Sequence, residues 1–375
     1  MMIQTVLLPY GVFLHEKCTK WARLFILHCI CARHAVMKLF ALLLTLFILY
    51  GCSSSEQSGK AQEKLAAHSI CVFDSTNTKV CIAKPAQRIV SLFESGLDGL
   101  YMLGQGHKVI GIPAEVYIQP LLFNAYSKID KRIANKQLAT PSQGANATNI
   151  ESLVLLKPDL VIVGSGQTQT IELLRQFGIA VYVMESSTYQ QVKEELSEIA
   201  VLSGAQKRAQ EILSFSDEIV AEVAAKTARQ PNKQSIYYAW SGGRIFSTSG
   251  RQSITNDFIE LAGAYNIVQT NTNQPNVNPE TLIEWNPDNI VLWNTNPQLI
   301  YERKELQGLS AVQNRKVFNL RPAFIYNPHT IKIIITAIYL NHSIYPEQSD
   351  LPVSALQQRI LTKLYGEHLA KAMVQ

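Results

Sequence analysis

Short runs of apolar, β-branched residues recur along the chain from residue 88 onward. The first set is Arg88-Ile89-Val90-Ser91-Leu92, Lys108-Val109-Ile110-Gly111-Ile112, Leu160-Val161-Ile162-Val163 and Ala180-Val181-Tyr182-Val183. Such runs, apolar on both faces, predict strands buried in a parallel sheet. Helical spacing over 97–103 and 170–177 separates them, and the alternation predicts βαβ units. A second set follows: strands in Ser235-Ile236-Tyr237-Tyr238-Ala239-Trp240, Asn289-Ile290-Val291-Leu292 and Lys316-Val317-Phe318-Asn319-Leu320, with helices over 254–262 and 331–340.

Between the two sets lies an amphipathic stretch from Tyr189 to Ala228, without Pro and with Gly204 as its one Gly. Its second part, 205–228, predicts one helix of about 24 residues, roughly 36 Å long, enough to bridge two lobes. Asn149-Ile150-Glu151-Ser152-Leu153-Val154-Leu155-Leu156-Lys157-Pro158-Asp159-Leu160-Val161-Ile162-Val163 aligns without gaps on Asn278-Pro279-Glu280-Thr281-Leu282-Ile283-Glu284-Trp285-Asn286-Pro287-Asp288-Asn289-Ile290-Val291-Leu292. A capped short helix, a Pro-Asp stop and a buried strand occur twice. The expected fold class is therefore α/β: two Rossmann-like lobes with parallel sheets, joined by a single long helix, with a cleft between lobes. Ligands of such sheets bind beyond the carboxyl ends of the strands. A continuous bridging helix bends little, so the expected closure on binding is small.

The N-terminus reads as an address. Lys38 precedes the apolar run Leu39 to Tyr50, the length of a signal-peptide core and short for a membrane span. Met37 is the expected initiator, with 1–36 a mis-called extension; one long anchor over residues 22–51 is the other reading. The run closes Leu49-Tyr50-Gly51-Cys52, which resembles a bacterial lipobox, and a polar tract follows. Cys52 is the expected lipidation site; an ordinary cleaved leader or an uncleaved anchor is the alternative.

Cys71 and Cys81 flank a polar turn, Ser75-Thr76-Asn77-Thr78, so two short strands would set them opposite each other. Export permits a disulfide there; two buried thiols are the other reading. The expected organisation is a leader (1–51), a tether (52–67), an N-lobe (68–188), a helical stretch (189–230), a C-lobe (231–350) and a terminal helix (351–375).

Charge and composition narrow the function classes. The chain is 47% hydrophobic with a net charge of +5. Residues 1–51 hold five cations against Glu16, leaving 29 basic and 28 acidic residues in the remainder. No basic stripe marks a nucleic-acid binder. No later apolar run reaches the roughly 20 residues of a spanning helix. Gly164-Ser165-Gly166 lacks the spacing of a nucleophile elbow, and Gly104-Gln105-Gly106 with Gly111 is not a dinucleotide fingerprint. An enzyme is not expected. Five histidines after residue 52 (His68, His107, His329, His342, His368) are scattered, which does not suit a dedicated cage for a bare metal ion.

Several stretches, in order, resemble the substrate-binding lipoproteins of ABC importers for ferric siderophores, haem and vitamin B12. They are Lys84-Pro85-Ala86-Gln87-Arg88-Ile89-Val90, Leu103-Gly104-Gln105-Gly106-His107-Lys108-Val109-Ile110-Gly111, Glu151 through Leu160-Val161, Asn256-Asp257-Phe258-Ile259-Glu260-Leu261-Ala262-Gly263-Ala264, and Glu280 through Asp288. The resemblance covers residues 68–350. It implies a lipid-anchored monomer in the periplasm or at the cell surface, partnered by a permease and its ATPase. Its ligand is expected to be a ferric siderophore, with cobalamin, haem, a nickel or cobalt complex, or molybdate as alternatives. No cofactor is expected. The resemblance also implies docking through one acid per lobe, placed at Asp98 and at Glu260, with Asp257 beside the latter. Residues beyond the strand ends are the expected ligand contacts: Ser95 with its neighbours Phe93 and Glu94, Tyr117 and Ser165 from the N-lobe, and Trp240, Arg251, Tyr326 and His329 from the C-lobe. Aromatic walls and a guanidinium suit a bulky anionic chelate. His329 is also the candidate metal ligand.

Overall fold

The structure, a computed structural model, describes residues 69–142, 148–228, 232–240, 242–348 and 352–374. The leader, Met37, Cys52 and the tether lie outside the described residues. Among the described residues no helix is long and apolar enough to cross a membrane.

The first described element is a hairpin of β1 (Ile70–Phe73) and β2 (Lys79–Ile82), with Cys71 opposite Cys81. The two cysteines are joined as a disulfide. The N-lobe sheet follows: β3 (Ile89–Ser91), helix α1 (Glu94–Met102), β4 (Val109–Gly111), α2 (Pro120–Ile129), α3 (Ile150–Leu155), β5 (Leu160–Gly164), α4 (Thr168–Gln176), β6 (Val181–Met184) and α5 (Tyr189–Ser203). Its parallel strands lie in the order β4-β3-β5-β6. Every residue of β3, β5 and β6 is buried, because helices cover both faces.

Gly204, at φ +78°, ends α5 in the left-handed conformation, and an added Cβ there would come 3.1 Å from Pro85. The bridging helix α6 (Gln206–Thr227) then runs 22 residues, about 33 Å. The C-lobe repeats the plan with β7 (Ser235–Ala239), α7 (Ile254–Leu261), β8 (Tyr265–Asn266), α8 (Pro279–Trp285), β9 (Asn289–Trp293), β10 (Val317–Leu320) and α9 (Ile333–Ile344), in the strand order β10-β9-β7-β8. Gly263 closes α7 at φ +79°; its Cβ would sit 2.1 Å from Thr227 Cγ2, so only glycine lets the lobe seat against the bridge.

The internal repeat acts the same way in both lobes. Asn149 and Asn278 cap α3 and α8 by accepting from the backbone N–H of Ser152 and Thr281. Lys157 and Asn286, equivalent positions, both take positive φ where the helix stops. Asp159 then accepts from the backbone N–H groups of Gln87 and Arg88 at the start of β3. Asp288 accepts from the N–H and hydroxyl of Ser235 at the start of β7. One aspartate per lobe thus ties two neighbouring strands together.

The terminal segment is two helices, α10 (Val353–Tyr365) and α11 (Glu367–Val374), because Gly366 at φ +87° breaks the pattern expected to be one. They do not rest on one lobe. Arg208 of the bridge donates to the carbonyls of Lys363 and Leu364, and Arg359 pairs with Glu222. Lys128 of α2 donates to the carbonyl of Ala372. One apolar core, including Leu100, Tyr126, Phe258, Ile334 and Leu361, runs through both lobes and α10, and each lobe has a smaller cluster of its own, around Val161 and around Ile290.

Candidate functional site

The loops leaving the carboxyl ends of the two sheets meet one another. The segment after β10 reaches into the N-lobe three times. Asn327 Nδ2 donates to Glu94 Oε2 at 2.6 Å, at the start of α1 beyond β3. His329 Nδ1 lies 2.9 Å from the carbonyl of Ser186, beyond β6. Lys332 Nζ pairs with Asp98 Oδ2 at 2.8 Å. These contacts form a floor that joins the two lobes at the carboxyl ends of their strands.

Trp240 stands at the carboxyl end of β7, half-buried, against the edge of Tyr238. Its indole N–H donates to the carbonyl of Thr248 at 3.0 Å, which fixes the ring plane. The Arg244 guanidinium lies 6.0 Å over the ring, within cation–π range. Ser165 follows β5 directly and is half-buried, its backbone N–H held by the carbonyl of Met184. Arg251 is exposed and donates to Asn271 Oδ1; α7 begins three residues later under a Ser253 cap, so Arg251 precedes the helix rather than opening it. All three keep part of their surface exposed.

The other four expected site residues are taken up by contacts within the protein. Tyr326 is only 6% exposed; its hydroxyl accepts from Gln357 and its ring packs on Tyr339, so it is core and not a ligand wall. Ser95 is buried within α1 and lines a small void with Met184, Glu195 and His329. Tyr117 packs edge-on against Phe123 and binds both the N–H and the carbonyl of Leu138. His329 spends Nδ1 on Ser186, and burial pushes its pKa below the ordinary histidine value. Among the described residues no group of three or more His, Cys, Asp or Glu stands ready to hold a metal ion.

Asp98 also departs from expectation. Its side chain and that of Lys332 are both 0% exposed, and Tyr365 of α10 donates to its other oxygen. A carboxylate enclosed in this way cannot be offered to a partner's arginine. Glu260 remains exposed, held by Asn256 Nδ2 at 2.9 Å. It borders, with Asp257 and Tyr189, a cavity of about 540 Å³ beside the last turns of α6. That cavity lies near the amino end of β7, away from Trp240.

Glu94 was expected only as a residue beyond a strand end, and Glu195 was not expected at all; the structure gives both a part in organising the floor. Glu94 accepts from the Tyr126 hydroxyl at 2.6 Å as well as from Asn327. Burial first, then the neighbouring Asp98, raises its pKa above the usual carboxylate value. Glu195, 2% exposed, accepts from the Ser75 hydroxyl and from the N–H groups of Glu185 and Ser186. It thereby holds the loop whose carbonyl meets His329. The four-residue spacing of Glu94 and Asp98 on one helix face was the available signal.

Residues 89–323 match the family model described as periplasmic binding protein. The ABC transporter substrate-binding lipoprotein YvrC of Bacillus subtilis is 25% identical, over 82% of this chain and 96% of that protein. A cobalamin-binding protein of Halobacterium salinarum is 26% identical over 58% of this chain and 57% of its own length. The fold resembles the molybdate-binding MolA of Haemophilus influenzae, with a TM-score of 0.67, 20% identity, and coverage of 79% of this chain and 97% of that one.

Proposed function

The chain belongs to the periplasmic binding protein family, the substrate-binding partners of ABC transporters, and we propose that it captures an organic metal chelate beyond the strand ends. The observation that carries this reading is Trp240. Its ring is fixed in orientation at the carboxyl end of β7 and has a guanidinium over it. A flat or bulky conjugated ligand gains from such a wall; a small oxyanion would gain little. Within this class a corrinoid is favoured, because a relative matching more than half of the chain is a cobalamin-binding protein. A ferric siderophore, expected from the sequence, stands second.

Delivery requires a grip on both lobes. Asp98 is enclosed, so the acids proposed for docking are the repeated pair Glu151 and Glu280. Both are exposed, in the first turns of α3 and α8. A helix that leads into a parallel strand runs antiparallel to it, so each first turn lies on the carboxyl side of its sheet. The two carboxylates therefore stand at equivalent places on the two rims, with Glu260 as a further acid on the C-lobe. Lipid attachment at Cys52 would hold the protein near the permease outside the cytoplasm.

The deciding experiment is native mass spectrometry and absorbance of the protein purified from a periplasm, followed by titration with cyanocobalamin, ferric enterobactin and molybdate. A corrinoid or iron-chelate complex weakened by Trp240→Ala supports the reading. Molybdate alone binding, unaffected by that substitution, overturns it.

A further inference from the structure

The floor between the lobes encloses an uneven count of charges. Glu94 and Asp98 lie one turn apart on the same face of α1, and the one ammonium beside them, Lys332, pairs with Asp98. The groups facing them from other elements are Tyr126 of α2 and Tyr365 of α10, both hydroxyl donors. Asn327 and Phe324 complete the shell; the Phe324 ring lies 3.5 Å from Lys332 Nζ. Tyr101, which packs on Tyr126, spends its hydroxyl on Asp130. With both acids ionised, a net negative charge would be enclosed between the lobes, which is costly in a low-dielectric interior.

We propose that Glu94 carries a proton when the lobes are tied together, and that losing this proton loosens the tie: the floor is a proton-gated latch. Asp98 is fully enclosed and in contact with Lys332 at 2.8 Å. Glu94 retains some exposure and is the acid open to exchange with water. The local geometry suits both protonation states. When Glu94 is ionised, the Tyr126 hydroxyl donates to its Oε1 at 2.6 Å. When Glu94 is protonated, Oε1 donates to the hydroxyl, which turns its hydrogen toward the Glu94 main-chain carbonyl, 3.4 Å away. Asn327 donates to Oε2 in either state. Its grip does not depend on the proton; the enclosed charge does.

The direction follows from linkage. Burial favours the protonated acid in the folded state, so the native protein binds more protons than the unfolded chain above the ordinary carboxylate pKa. The latch is therefore complete at low pH and weakens as pH rises through the raised value.

The inference goes beyond the transport reading, and its test needs no ligand. Hydrogen exchange of segment 324–332 is followed in the ligand-free protein from about pH 5 to about pH 9, corrected for intrinsic rates, beside the infrared band of protonated carboxyl groups. The wild type should show a carboxyl band that titrates away together with about a tenfold rise in exchange. Glu94→Gln should lose that band and exchange slowly throughout. If Glu94→Gln fails to fold, Tyr126→Phe serves, with the expected outcome a shifted midpoint for both signals. Exchange that ignores pH in the wild type, or no titrating band sensitive to either substitution, overturns the latch. Loss of ligand binding with the latch intact would count against the transport reading alone.

Discussion

Asp98 of the N-lobe and Lys332 of the C-lobe form an ion pair at 2.8 Å with neither side chain exposed. A pair so enclosed adds little net stability over well-packed apolar residues, but removing one member strands the other. Lys332→Met should cost about 3–5 kcal/mol in urea unfolding. The double variant Asp98→Asn with Lys332→Met should recover most of the loss. A single variant as stable as wild type would show that the pair is not enclosed.

Trp240 and Tyr326 separate ligand contact from packing. Trp240→Ala should weaken chelate binding by about tenfold, the scale of an oriented aromatic contact, with little change in unfolding midpoint. Tyr326→Phe removes only the hydroxyl that Gln357 reaches, and should cost about 1 kcal/mol of stability with affinity unchanged. Fluorescence titration and thermal melts on both proteins read the two effects. Affinity falling in Tyr326→Phe would return that residue to the ligand.

Charge reversal at the repeated acids tests delivery. Glu151→Lys and Glu280→Lys should leave affinity and stability within about 0.5 kcal/mol of wild type, since both side chains are exposed. Uptake through the cognate permease should drop, most in the double variant, while Asp98→Asn should act through stability instead. Uptake unchanged in the double variant would place the docking acids elsewhere, with Glu260 next to be examined.

His329 gives a pH dependence opposite to that of Glu94. Burial lowers its pKa, so the unfolded chain binds the imidazole proton first. Stability is then lost as pH falls from the ordinary histidine value toward the lowered one. The raised pKa of Glu94 acts in the opposite sense, so the wild-type melt mixes the two. His329→Gln should flatten the acid-side loss in melting temperature between about pH 7 and about pH 5, and Glu94→Gln should steepen it. Parallel profiles for wild type and His329→Gln would show that the imidazole titrates as in water.

Much of the architecture was legible because each lobe is built from local signals. The β-branched runs, the Pro-Asp stops and the gap-free repeat mark strands and helix ends within a few residues. The bridging helix was readable from its spacing and from Gly204. The place of Trp240 at the end of β7 was legible because it closes a strand run. The floor was not legible. Asp98 reads as an exposed acid on an amphipathic helix, and its burial depends on Lys332 and Tyr365, far along the chain. Tyr326 and His329 follow a strand end as ligand contacts would. His329 instead meets the other lobe at Ser186, and Tyr326 packs on Tyr339 and Gln357; both are tertiary facts. The split of α10 from α11 turned on Gly366, whose role shows only as a backbone angle.

The partnership of Asp98 with Tyr365, separated by 267 positions, bears on how the chain is made. Synthesis and export proceed from the amino end, so the N-lobe reaches its compartment with its interior acid still waiting for a base and a hydroxyl that arrive much later. The repeat makes each lobe look like a free-standing module, yet the first cannot complete its interior until the second and the α10 strap have followed. Ancestral duplication, if it built the two halves, has been overwritten by mutual dependence: cutting the gene at the bridging helix would yield two fragments, each lacking what the other supplies.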